Sequence, residues 1–175
     1  HDDRMNIDLY AYGRSMIVDP GQCNYTDPVS GSMRLPGAHN VVTVNDSTAS
    51  GEVTNFSWVT GNAADIAQGE SVVANRRWRR TAIFIKPSYW IINDVINGER
   101  LNHTRIDQRW HYTRPESVTL DPVAKQVDLR YTPTWGANGN LLLKWPALTP
   151  LTFDSRLAGS GDPYAYLTGD FAVPP

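Results

Sequence analysis

Apolar and polar residues alternate along most of this chain with a period of two. Met5, Ile7, Leu9 and Ala11 fall on one face, and Asn6, Asp8, Tyr10 and Tyr12 on the other, the pattern of a half-buried β-strand. Residues 15–19 read as a second strand. The Gly13-Arg14 pair between them predicts a hairpin with a type II′ turn. Further strand-like runs lie at 41–45, 52–60, 71–75, 79–85, 89–96, 104–112, 117–121, 126–131 and 141–145. Pro87-Ser88 and Asn97-Gly98 mark turns between some of them. Only residues 63–69 are expected to form a short helix. So many short strands separated by turn residues predict an all-β, antiparallel sandwich over residues 1–145. Residues 146–175, rich in Pro, Gly and aromatics, are expected to pack on it as irregular coil.

Composition narrows the field of functions. At 175 residues the chain fits one domain with a real core. Sixteen Lys and Arg against 18 Asp and Glu give a net charge of −2, without the basic excess of a general nucleic-acid binder. No apolar run approaches the ~20 residues of a membrane-spanning helix. Cys23 is the single cysteine, so no intrachain disulfide forms. The sequence opens on His1 with neither an initiator Met nor a signal-peptide pattern, which reads as a processed product or a fragment.

The chemistry concentrates near the start. Residues 20–38 carry three Pro and three Gly and read as one long loop, a length that in compact domains is often functional. His1 precedes the first strand, Asp19 ends the second, and His39 closes the loop. A His, an Asp and a His at strand ends and loop edges form a candidate divalent-metal set, and zinc suits mixed nitrogen and oxygen ligands. An N-terminal His also raises a different possibility, a copper histidine brace completed by His39 or His111, as in polysaccharide monooxygenases. Arg76, Arg77, Arg79 and Arg80 around Trp78 are either sugar-acid contacts or a solvated strand edge, the commoner outcome for charge runs. Trp110 and His111 are neighbours on a strand, so one is expected inside and the other towards solvent or a cleft. His103, beside a turn, is expected at the surface. Asn24, Asn45, Asn55 and Asn102 head Asn-x-Ser/Thr sequons, relevant only in a eukaryotic secretory route.

The stretch His1-Asp2-Asp3-Arg4-Met5-Asn6-Ile7-Asp8-Leu9-Tyr10-Ala11-Tyr12-Gly13-Arg14, followed by Ile17-Val18-Asp19-Pro20-Gly21, resembles the heparinase II/III-like polysaccharide lyases. Ala38-His39-Asn40-Val41-Val42 is similar to that family's Ala-His-Asn-Thr-Val element, with Val41 in place of Thr. Residues 79–85, Trp90 through Asp94, and Gln108-Arg109-Trp110-His111 resemble later family segments, so the likeness spans about residues 1–112. It implies a β-sandwich that follows an α-helical toroid, with His1, Asp19 and His39 as ligands of a structural metal, zinc or alternatively calcium. It also implies β-elimination at a uronic acid, an acidic polysaccharide as substrate, and a periplasmic or secreted location. The family's catalytic His falls two positions before the first metal-binding His, ahead of His1, and its other catalytic groups belong to the toroid. This chain alone is therefore expected to be inactive. Gln22, Tyr25 and Arg34, on the loop, are candidate substrate contacts. A non-catalytic carbohydrate-binding sandwich is the alternative reading.

Overall fold

The computed structural model describes residues 2–19, 21, 31, 33–98, 104–113, 115–131 and 139–146, and the backbone of two further strands at 151–156 and 165–172. The strands are β1 (Leu9–Ala11), β2 (Arg14–Ile17), β3 (Val42–Val44), β4 (Ala49–Thr60), β5 (Ala64–Val73), β6 (Arg76–Ile85) and β7 (Tyr89–Asn97). They continue as β8 (Arg105–Tyr112), β9 (Ser117–Asp121), β10 (Gln126–Arg130), β11 (Leu141–Lys144), β12 (Leu151–Arg156) and β13 (Ala165–Ala172). One sheet runs β1-β2-β8-β13-β12, with β3 also on β8; a second runs β4-β5-β6-β7, and a third β11-β10-β9. Every pairing is antiparallel. The predicted all-β, antiparallel architecture is the one observed.

Strand β8 is the spine of the first sheet. Because β13 pairs with it along its whole length, β2 (through Ile17 opposite Tyr112) and β3 (through 42–44) must share its other edge. Its alternation then sorts the core. Trp110 and Tyr112 enter one apolar cluster with Ile17, Val127, Leu129, Tyr131 and Trp145, joining the first sheet to the third. Val41, Val42, Val44, Ala49, Val73 and Trp78 form a second cluster, joining it to the four-stranded sheet.

Several local expectations are corrected. The opening hairpin forms, but Ala11 pairs with Arg14, so Tyr12 and Gly13 are the turn residues. Their φ values are +51° and +77°; two successive positive φ angles make a type I′ turn, which matches strand twist, rather than type II′. The helix expected at 63–69 does not form: residues 64–69 belong to β5, which pairs with β6 over its whole length and with β4, across two irregularities, on its other side. Ladder bonds to two neighbours outweigh the weak helical preference of Ala64, Ala67 and Gln68. The coil expected after 146 contains β12 and β13, and β13 is an interior strand of the first sheet.

Arg80 is not part of a solvated edge. Trp78, Arg80, Ala82 and Phe84 share one face of β6 by strand parity, and that face looks at the first sheet. Arg80 and its cross-strand neighbour Asp94 form a bidentate ion pair, Nε to Oδ1 at 2.8 Å and Nη2 to Oδ2 at 2.9 Å. The same carboxylate accepts from Trp78 Nε1 at 2.8 Å and Gln108 Nε2 at 2.7 Å. Gln108 in turn accepts from the indoles of Trp110 and Trp145 at 3.1 and 3.0 Å. The guanidinium carbon lies 5.0 Å from the Trp78 ring centre and 5.6 Å from that of Trp110. A charge pair fully satisfied in this way clasps the two sheets together through the middle of the sandwich.

Candidate metal centre

Three short segments meet beside this clasp. Asp19 lies just beyond β2, where its Oδ1 accepts the Gly21 N–H at 2.8 Å and turns the chain. Pro36–Ala38 form one turn of 3-10 helix, with Pro at its first position, and His39 follows as its C-cap. This turn delivers the buried His39 ring to Asp19, with Nδ1 2.6 Å from Oδ2. The third segment is 2–8. Asp2 donates its N–H to the Arg34 carbonyl at 3.2 Å, and Asn6 Oδ1 accepts the Asn40 N–H at 2.7 Å.

Asn40 holds the three together. Its amide nitrogen donates to the carbonyls of Ile7 (2.9 Å) and Val18 (3.0 Å), while its oxygen accepts the His111 N–H at 2.6 Å. Its own carbonyl accepts from Arg80 Nη1 at 2.5 Å, and that nitrogen also donates to the Met5 carbonyl at 2.9 Å. The Asp19–His39 pair and the inter-sheet clasp are thus consecutive links of one network. Nothing in the spacing of the sequence singled out Asn40; its place directly after His39 was the available signal.

His111 is buried alongside Trp110, contrary to the expectation that only one of the two would be inside. The outer face of β8 is covered at this point by residues 36–40. Burial, with a smaller contribution from the charge of Arg109, pushes the His111 pKa down to about 4 despite the Gly37 carbonyl bonded to its Nε2 at 2.9 Å. The ring is neutral near pH 7. With Nδ1 3.2 Å from Asn40 Oδ1 as well, both of its nitrogens face protein oxygens.

Two of the three predicted metal ligands, Asp19 and His39, are therefore brought together. His1 lies outside the described residues, as do Gln22, Tyr25 and His103. Among the described residues no group of three His, Cys, Asp or Glu side chains converges. Arg34 is exposed at the end of the loop, with its carbonyl tied to Asp2. Asp19 and His39 are of the oxygen and nitrogen donor types that zinc takes, and in this structure Nδ1 and Oδ2 are bonded directly to each other. The Asp2–Arg34 bond ties the backbone at residue 2 to that at residue 34.

The family model described as heparinase II/III-like, C-terminal, matches residues 1–155. The chain belongs to this family. A search of curated proteins gives no match. Among solved structures, the heparan sulfate lyase HepC from Pedobacter heparinus superposes with a TM-score of 0.80 at 17% identity, covering 98% of this chain and 29% of that one. A mutant of the same lyase gives 0.82 at 16%, covering 97% and 28%. A structure titled heparinase III gives 0.75 at 18%, covering 97% and 27%. This member of the heparinase II/III-like C-terminal family thus shares their fold and spans less than a third of their length.

Proposed function

We propose that this sandwich is the C-terminal part of a lyase that cleaves uronic-acid-containing polysaccharide by β-elimination. The family match over residues 1–155 carries the reading, and the heparan sulfate lyases sharing the fold support it. In β-elimination a base removes the proton beside a neutralised carboxylate, and an acid protonates the departing glycosidic oxygen. In this proposal those groups come from an upstream toroid, and Gln22, Tyr25 and Arg34 of the present chain are its candidate substrate contacts. An acidic polysaccharide substrate goes with a periplasmic or secreted location.

Asp19 and His39, together with His1, would hold the metal, zinc before calcium. Bound there, the ion would act as a cross-link between the hairpin and the 20–38 loop, with no part in proton transfer. The chain's own residues already do half of this work, since Asn40 ties residues 7, 18 and 111 to the same point.

The test has two readouts. Heparan sulfate and alginate are incubated with the polypeptide of the complete reading frame and with this 175-residue chain, and unsaturated uronate is followed by ultraviolet absorbance. Turnover by the complete polypeptide alone is expected. Turnover by neither, with retained oligosaccharide binding, would instead establish the carbohydrate-binding alternative. Metal content of the purified protein, with His39→Ala as control, is expected to be near one equivalent and to collapse in the variant.

A further inference from the structure

We infer that Met5 is a positioning residue: the turn it closes latches residues 2–6 onto the four-stranded sheet and so sets how the chain approaches the Asp19–His39 pair. For its consequence at His1 this inference rests on the metal reading above; the latch itself is built from described residues.

The Asn6 N–H donates to the Asp3 carbonyl at 2.9 Å, closing a β-turn with Arg4 and Met5 at its two central positions. Of these two, only Met5 has a positive φ, +57°. A positive φ at the second central position alone belongs to a type II turn, which selects Gly or Asn there. For a long side chain it is an uncommon conformation, and it persists only where the surroundings over-determine it.

Here they do. The Met5 carbonyl accepts from Arg80 Nη1 at 2.9 Å. Its half-buried side chain lies over Gly69, where a Cβ would stand 3.2 Å from the Met5 Sδ and 2.8 Å from Val53 Cγ1. The bare backbone of Gly69 is the socket, and beyond it Met5 packs on the cluster around Val42 and Trp78. Gly69 and Arg80 are direct cross-strand partners, so the side chain and the carbonyl of one residue grip neighbouring strands of the same row. Thioether side chains suit such an irregular gap. A Met where Gly would be at ease in the backbone is there for these contacts.

On either side of Met5 the chain is stitched to what it must align. Before it, Arg4 Nε donates to the Gly51 carbonyl and Nη1 to that of Ala49 at 3.4 Å. The Asp2 carbonyl accepts from Thr48 Oγ1 at 3.4 Å. After it, Asn6 Oδ1 accepts the N–H of Asn40, the residue next to His39. The left-handed step at Met5 is what turns the backbone from its anchor on β4 to its anchor beside His39.

Hydrogen–deuterium exchange of the complete polypeptide, stripped of metal, tests this in Met5→Gly, which takes the same φ but has no side chain for the socket. Exchange is expected to quicken by about tenfold or more in peptides holding the Asp2, Asn6 and Asn40 amides, as for a local opening, with peptides of β6 unchanged. Met5→Leu refills the socket and is expected to restore protection. Zinc release to a chelator is expected to quicken in Met5→Gly as well. Unaltered exchange overturns the inference, as does exchange that Leu does not restore. Quickening that includes β6 overturns it too, since Met5 would then be an ordinary core residue, and so do freed amides with zinc release unaltered. A wild type that binds no zinc, with amides freed by Gly and restored by Leu, refutes only the metal reading; bound zinc with unaltered exchange refutes only this inference.

Discussion

Replacing Asp94 by Ala should be among the most damaging single changes in the described core. The Asp94 side chain is 9% exposed and accepts four hydrogen bonds, two of them from a guanidinium that is itself 3% exposed. Removing the carboxylate leaves Arg80 charged, desolvated and without its counter-ion, while the Trp78 and Gln108 donors lose their acceptor. Breaking a buried pair in this way costs about 3–5 kcal/mol, a large share of the ~5–15 kcal/mol that holds a typical domain together. At about 2–4 °C per kcal/mol for a protein of this size, the melting temperature should drop by roughly 6–20 °C. Calorimetry or urea denaturation at neutral pH measures it. The double variant Arg80→Met with Asp94→Leu strands no charge, so its loss should be well short of the sum of the two single losses. The wild type should also lose stability in acid. Burial raises the Asp94 pKa, but the Arg80 charge and the hydrogen bonds from Arg80, Gln108 and Trp78 outweigh it and hold the carboxyl below its ordinary value. A depressed carboxylate contributes stability fully above the unfolded value near ~4 and loses it as pH falls through the folded value. A melting temperature for Asp94→Ala within about 2 °C of the wild type, which by the same scaling is below 1 kcal/mol, would refute the clasp.

Three further outcomes follow from the same geometry. His111 is neutral and buried with its pKa lowered from 6.5 to about 4. Its contribution is therefore complete above pH 6.5 and lost as pH falls towards 4, about 2 kcal/mol between pH 7 and 5 by linkage; urea curves at the two pH values should show this slope, and His111→Gln should flatten it. Gly13 sits at φ +77° with open space where a Cβ would go, so Gly13→Ala should cost only the left-handed backbone penalty of about 1–2 kcal/mol, read as a small drop in melting temperature. If a divalent ion joins Asp19 and His39, chelation should lower the melting temperature of the wild type and leave that of His39→Ala unmoved.

Much of the layout could be read from alternation, because a strand with one wet face writes its geometry into the sequence. The hairpin at 9–17 and the runs at 117–121 and 126–130 were visible for that reason. Strand β5 was not, because its residues at 63–69 lack both β-branched density and clean alternation, and only two ladders of hydrogen bonds make them extended. Strands β12 and β13 follow a stretch of Pro, Gly and aromatics that hides them. The role of Arg80 was masked by Arg76, Arg77 and Arg79 beside it; parity with Trp78, Ala82 and Phe84 distinguishes it, but only once the strand's inner face is known. The Asp19–His39 pairing was anticipated, whereas the burial of His111 was not, because the cover over β8 comes from residues 36–40, some seventy positions away.

The two halves of the structure bear on each other through Asn40. Its side chain fixes the segments that carry Asp19 and His39, and its carbonyl is bonded to the same Arg80 that closes the clasp with Asp94. Loosening the clasp should therefore be felt at the site. Asp94→Asn keeps the shape of the side chain but not its charge, so Arg80 would lean more on the Asn40 and Met5 carbonyls as its remaining partners. If the proposed ion is bound and the site is held by this network, the conservative variant should bind metal more weakly or release it faster to a chelator while remaining folded by circular dichroism. A folded Asp94→Asn protein with unaltered metal release would mean that the hairpin and the loop position Asp19 and His39 unaided, and that the clasp serves only to join the sheets.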